Sequence, residues 1–234
     1  MPVLLKKQKE DKYKKIIEMF FDDEERIEEQ RNKLKEYNTL MAYFKCAMLE
    51  IETKFNVLNE QFSLQYDRNP INGIKTRLKS INSIKEKLEK KELPFTLPSI
   101  EENLNDVAGV RIICSFVQDV YMLADSLLAQ DDIKLVEIKD YIKNPKPNGY
   151  RSLHLIVTVP IFLLHEKKIM KVEIQLRTIA MDSWAALEHQ LKYKKDVNFT
   201  DEMTEELKYC ADISAELDLK MDNLRKVANI DHSL

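Results

Sequence analysis

Glu173-Ile174-Gln175-Leu176-Arg177 is polar at every second position and apolar between. Side chains on a strand alternate between its two faces. The segment therefore reads as a strand that sets Glu173, Gln175 and Arg177 in one row, with Val172, Ile174 and Leu176 on the opposite face. A carboxylate, an amide and a guanidinium in line offer partners for a metal ion, a sugar hydroxyl and a phosphate. Upstream, Asn148-Gly149-Tyr150-Arg151-Ser152-Leu153-His154 reads as a turn that opens a second strand and presents an aromatic ring beside basic groups. Together the two segments point to a nucleotide site.

Around this centre, short β-branched runs predict strands over 110–116, 135–138 (an edge), 151–159 and 169–177. Apolar residues three and four apart predict helices elsewhere. A charged helix over 10–37 carries a thin stripe of Ile16, Phe20, Ile27 and Leu34. The row Met41, Phe44, Met48, Ile51, Phe55, Leu58 and Phe62 marks a helix lying on a core. After a break at Asn69-Pro70, a helix is expected over 74–91, then a loop with Pro94 and Pro98. Further helices are expected over 118–130, over 178–195 with Ala180, Trp184, Leu187 and Leu191 inward, and over 201–227. The last carries Met203, Leu207, Cys210, Leu217, Met221 and Leu224 at heptad-like spacing. The expected class is α+β, a mixed sheet flanked by helices with helical extensions at both ends.

Bulk composition narrows the function. The 234 residues are 44% apolar and 33% charged, with 37 Lys and Arg against 40 Asp and Glu, net −3. Such a balance excludes a global basic field for nucleic acid and leaves local basic faces open. Three cysteines without a Cys-x-x-Cys pair argue against a disulfide framework or a zinc site. The N-terminus turns charged at once, unlike a signal peptide. The apolar stretch 153–164 is interrupted by His154 and Pro160 and falls short of the ~20 residues a membrane helix needs. A soluble cytoplasmic protein with no membrane partner is expected.

Asp106 precedes a buried strand in Asn105-Asp106-Val107-Ala108-Gly109-Val110-Arg111, as a magnesium ligand or as a turn cap. On the helix expected over 74–91, Lys79, Ser83 and Lys87 share a side, and Arg77 stands in the first turn, where amide groups favour phosphate. Asn144-Pro145-Lys146-Pro147-Asn148-Gly149-Tyr150 is a rigid turn. Its ring either packs under the loop or stacks on a base, with Lys146, Arg151 and His154 near the same ligand's phosphates. Asp182, seven residues before His189 and close to Glu188, matches the paired donors of guanine or, equally, the dipole of a helix start. A Walker loop and a Gly-x-Gly-x-x-Gly are both absent from the sequence.

Asp106-Val107-Ala108-Gly109-Val110-Arg111, the 144–154 segment and Glu173-Ile174-Gln175-Leu176-Arg177-Thr178 occur in the order that resembles the synthetase domain of RelA/SpoT-type (p)ppGpp synthetases. The flanking helices and Arg177-Thr178-Ile179-Ala180-Met181-Asp182-Ser183-Trp184 look most like the small alarmone synthetases, nearer the RelP than the RelQ branch. The resemblance implies a nucleotidyltransferase-like fold organised as 1–68, 69–195 and 196–234: a helical extension, the synthetase domain, and an oligomerisation helix. It implies transfer of the β,γ-pyrophosphate of ATP to the 3′-hydroxyl of GDP or GTP, without hydrolase activity. Arg77 and Arg111 would then flank adenine, and Lys79, Ser83 and Lys87 would hold the donor phosphates. Asp106 would bind Mg2+, with Glu173 as base or second ligand. Tyr150 would stack on guanine, with Lys146, Arg151 and His154 at the acceptor phosphates, Gln175 and Arg177 in support, and Asp182 reading the base. A homotetramer is implied, and RNA or the alarmone itself stands as a candidate regulator. The rival readings are a relative that pyrophosphorylates the tRNA 3′ end and a non-catalytic nucleotide sensor.

Overall fold

The computed structural model describes residues 2–66, 68–192 and 200–228. Residues up to Ala42 form one compact unit and those from Tyr43 another. In the first, helix α1 (Pro2–Tyr66) begins. Ile16 and Phe20 lie outside the described side chains, and Ile27 and Leu34 are exposed rather than forming a buried stripe.

In the second unit α1 buries Phe44, Met48, Ile51, Phe55 and Leu58, the row its three- and four-residue spacing predicts. Polar pins hold it. Lys54 pairs with Asp132 at 2.7 Å, Asn59 accepts from the Ile71 amide at 3.1 Å, and Tyr43 donates to Glu166 at 2.8 Å.

The helix expected over 74–91 is instead strand β1 (Ile71–Leu78) followed by α2 (Ile81–Lys90). Ser80 caps α2, its hydroxyl accepting from the Ser83 amide at 3.3 Å. Lys75-Thr76-Arg77-Leu78-Lys79 has the same two-residue alternation as the 173–177 segment, and pairing with a neighbouring strand outweighs its helix propensity. The expected proline loop contains α3 (Leu97–Asn103), begun by Thr96 as cap with proline in its first turn. Then come β2 (Ala108–Cys114), α4 (Val117–Leu128), β3 (Lys134–Asp140), β4 (Leu153–Phe162), β5 (Lys167–Thr178), α5 (Ile179–Lys192) and α6 (Asp201–Val227). The 193–195 end expected for α5 and the boundary at 195–196 fall outside the described residues.

The sheet order is β1-β2-β5-β4-β3, with β2 and β5 parallel and the other neighbours antiparallel. This is the mixed sheet expected, with β3 at an edge. Register aligns two rows across all strands on one face. One runs Lys75, Arg111, Gln175, His154, Lys139, and the next Arg77, Gly109, Glu173, Ile156, Glu137. On the opposite face Val172, Ile174 and Leu176 are fully buried. Chemistry and core therefore separate by strand parity.

In α5 the core side is Met181, Trp184 and Ala185, whereas Leu187 and Leu191 are exposed. In α6 the buried side is Ala211, Asp218 and Arg225, seven residues apart each time. Of the heptad-like row, Met203, Leu217, Met221 and Leu224 are exposed, whereas Leu207 packs against Trp184, Ala185 and Ala211. The inward face of α6 is chosen by polar partners. Trp184 Nε1 donates to the Leu207 carbonyl at 2.9 Å, and Thr178 donates to Asp218 at 2.7 Å.

Candidate active site

A cavity of about 320 Å³ opens over the two polar rows, between the end of β1 and the middle of β5. Gly109 makes its floor, because the neighbours in its row, Arg77 and Glu173, carry side chains into the same space. The Lys79 amide donates to the Val107 carbonyl at 2.8 Å, extending the β1–β2 pairing. That carries the Lys79 side chain to Asp106, just ahead of β2.

Asp106 Oδ2 meets Lys79 Nζ and Lys87 Nζ, each at 2.7 Å. Its Oδ1 is buried with no hydrogen-bond partner. Burial works to raise this carboxyl, but the hydrogen bonds and charges of the two lysines outweigh it and hold it below the ordinary range. An ionised carboxylate with one open oxygen suits a hard cation. No cluster of three or more His, Cys, Asp or Glu among the described residues suits a metal. Asp106 and Glu173 line the same cavity, and magnesium commonly takes one or two carboxylates and completes its shell with phosphate and water. The donor set fits that ion.

Glu173 belongs to a closed ring of side chains. Gln175 Nε2 donates to Glu173 Oε2 at 3.0 Å, and Arg177 donates to Gln175 Oε1 at 3.0 Å and to the Tyr150 hydroxyl at 2.6 Å. Tyr150 meets His154 Nε2 at 2.9 Å, and His154 Nδ1 lies 3.4 Å from Glu173 Oε1. A carboxylate only accepts, so Nδ1 carries a proton. Nε2 is then left to accept from the Tyr150 hydroxyl, which closes the ring. Burial raises the Glu173 carboxyl, yet His154 and Gln175 stabilise the anion more, and the net shift is downward.

The 141–152 loop that presents Tyr150 is held by its own backbone. Gly149 donates to the Lys146 carbonyl at 2.8 Å, and the Tyr150 amide donates to Asn148 Oδ1 at 3.2 Å. Gly149 has φ +85°, and a Cβ there would lie 2.5 Å from Ala211 Cβ of α6. Only glycine combines that conformation with so close an approach. Lys146 Nζ sits 4.7 Å from the Tyr141 ring centre and 4.8 Å from that of Tyr150. Tyr150 is half-buried: Tyr141 and His154 meet it edge-on, and the Arg177 guanidinium lies 5.1 Å from its ring centre.

Most of the residues singled out in the sequence converge here: Arg77, Lys79, Lys87, Asp106, Arg111, Tyr150, His154, Glu173, Gln175 and Arg177. Ser83 lies in the first turn of α2, bonded to Ser80 at 3.0 Å. Three placements differ from expectation. Arg77 and Lys79 come from a strand and its end, not from a helix start. Arg151 points away from the cleft and clamps α6, donating to the Ala211 carbonyl at 2.9 Å and to Asp212 at 3.2 Å. Asp182 faces three cations, with Lys75 at 2.9 Å and Arg111 and Arg177 each at 3.3 Å. Burial opposes its ionisation, but these partners prevail and its pKa is lowered. Two residues of the site, Lys75 and Tyr141, are not among those the sequence pattern singles out. The strand alternation of 75–79 carries the signal for Lys75. Tyr141 becomes visible only when the loop folds back on itself.

Residues 76–198 match the region found in RelA / SpoT proteins. The chain is 44% identical over 189 residues to the GTP pyrophosphokinase YwaC of Bacillus subtilis, covering 81% of this chain and 90% of that one. Small alarmone synthetase 2 of Bacillus subtilis superposes with a TM-score of 0.74 at 42% identity, over 81% of this chain and 98% of its own. Small alarmone synthetase 1 of the same organism, bound to its product pppGpp, gives 0.74 at 34% identity, over 82% and 97%. With the sheet, the cleft and these likenesses in agreement, the chain belongs to the RelA/SpoT family.

Proposed function

We propose that the protein is a (p)ppGpp synthetase that transfers the β,γ-pyrophosphate of ATP to the 3′-hydroxyl of GDP or GTP. The observation that carries this reading is Asp106, an ionised carboxylate with one open oxygen, set in a cleft where cations outnumber carboxylates. Lys75, Arg77, Lys79, Lys87, Arg111 and Arg177 stand against Asp106, Glu173 and Asp182. The chain as a whole is net negative, so the local surplus is a feature of the cleft and suits two polyphosphates.

In this reading Arg77 and Arg111 bind the adenine end of ATP, and Lys79, Lys87 and Ser83 hold its phosphates. Tyr150 supports guanine, with Lys146 and His154 toward the acceptor phosphates. Glu173 accepts the 3′-hydroxyl proton as the oxygen bonds to the β-phosphorus of ATP. The bond from the β-phosphorus to the α,β-bridging oxygen breaks, and AMP departs with that bridging oxygen while the 3′-oxygen stays on the product. Asp106 and Glu173 would hold Mg2+, which neutralises charge on the transferred group when bound. Phosphoryl-type transfer depends chiefly on such positioning and charge neutralisation. Gln175 and Arg177 keep Glu173 and Tyr150 in register. The outward apolar row of α6 supports a homo-oligomer, a tetramer by likeness to the family. No helix of the described residues is long and apolar enough to cross a membrane, and the nucleotide substrates support a cytoplasmic setting.

The test is a labelled-ATP assay with magnesium, offering GDP, GTP and bulk tRNA separately. Label in ppGpp or pppGpp is the expected result and ranks the acceptors. Label in tRNA alone, or transfer to none of them, overturns the proposal.

A further inference from the structure

Asp182 lies in the first turn of α5 and is 6% exposed. Its two oxygens are used differently. Oδ2 takes Lys75 at 2.9 Å, while Oδ1 is shared by Nη1 of Arg111 and Nη1 of Arg177, each at 3.3 Å. Arg111 lines the cleft, on the side assigned above to ATP. Arg177 is 5% exposed and through its other terminal nitrogen holds the Tyr150 hydroxyl and Gln175. The Nε of both arginines is buried without a partner, so each guanidinium is held only by its terminal nitrogens.

We propose that Asp182 is a positioning residue that couples the two nucleotide sites, a step that rests on the synthetase reading. One carboxylate oxygen divided between two guanidinium groups puts them in competition. When the donor nucleotide draws Arg111 into the cleft, Oδ1 falls wholly to Arg177. A charge-assisted hydrogen bond in a buried setting gains from losing its competitor. Arg177 is then fixed, and with it the hydroxyl of Tyr150, the ring that supports the acceptor base. Donor binding thereby tightens acceptor binding, and by linkage the acceptor tightens the donor equally. Lys75, alone on Oδ2, steadies the carboxylate without entering the exchange.

The experiment measures GDP affinity of the full chain by calorimetry, with and without a saturating ATP analogue. The analogue carries an α,β-methylene bridge and so cannot transfer. Product formation from ATP and GDP is followed in parallel. In the unaltered protein the analogue should tighten GDP binding about fivefold or more. Asp182→Asn keeps the side-chain shape and removes the charge. It should bring that factor close to one while each nucleotide alone still binds. Lys75→Met should keep the factor of the unaltered protein. An unchanged factor in Asp182→Asn, equal loss in Lys75→Met, or no coupling in the unaltered protein would each overturn the proposal. If the unaltered protein still forms labelled product in those cases, the synthetase reading stands and only the coupling fails. If it forms none, both fail.

Discussion

On the β1 side of the cleft Asp106 faces two lysines and keeps one oxygen without a partner, whereas on the β4 side both Glu173 oxygens belong to a closed ring. The first arrangement is incomplete until anions and a cation arrive. Lys79 and Lys87 have fixed positions but surplus charge, which draws polyphosphate. The second is assembled beforehand. Glu173, Gln175, Arg177, Tyr150 and His154 hold one another in place, and α6 props the loop above them through Gly149 against Ala211. One side supplies affinity by unbalanced charge, and the other supplies geometry by preorganisation.

If the two sides differ in this way, Asp106→Asn should have the most severe effect. Loss of the ionised ligand should lower kcat on the order of 10³-fold and make activity insensitive to added magnesium, while GDP still binds. Steady-state kinetics over a magnesium titration check this, and a retained magnesium response would return Asp106 to the role of a turn cap. Tyr150→Phe acts on the other side. It keeps the ring and removes the hydroxyl that joins Arg177 to His154. The KM for GDP should rise about tenfold, as for a lost charge-assisted hydrogen bond, with the KM for ATP much less affected. An equal rise in both would show that the two sides do not divide the work.

Substitution in the support beneath the acceptor loop should change stability more than catalysis. Burial raises the Asp218 carboxyl despite the Thr178 hydrogen bond and the Arg151 charge, opposite to the downward shifts of Asp106 and Glu173. A folded-state pKa raised above the unfolded one favours folding below the unfolded value, and that contribution is lost as pH rises through the folded value. At neutral pH the charged Asp218 is therefore a cost. Asp218→Asn should raise Tm by about 2–4 °C near pH 7 for a change of about 1 kcal/mol, and the gain should fade on acidification. Asp106 and Glu173 have the reverse sign. Their stabilisation is present above the unfolded carboxylate pKa and is lost as pH falls through the lowered folded value. Melting curves across pH test both, and a gain that persists in acid would remove Asp218 as its source.

Much of the cleft is legible in the sequence because its signals are local. The alternation in 173–177 assigns each side chain to its correct face, and the family resemblance brings Asp106, Tyr150 and His154 together. The 75–79 segment misleads for an equally local reason. Lysine, threonine and arginine next to a true helix mimic a helix start, and only pairing with β2 makes the segment a strand. The α6 row is visible in the sequence, but apart from Leu207 its large apolar residues face outward in the structure, because spacing marks an apolar face without saying what covers it. The covered face is instead chosen by Ala211 under Gly149 and by Asp218 bonded to Thr178.

The parity of the central strands, the α+β class and the chemical types gathered in the site are written in the amino-acid order, since period and side-chain chemistry are properties of neighbouring residues. That Arg151 clamps a helix, and that Asp182 divides one oxygen between two arginines, emerges from the folded arrangement alone. Those pairings join residues far apart in the chain, and they follow from sheet register and from the need to neutralise buried charge.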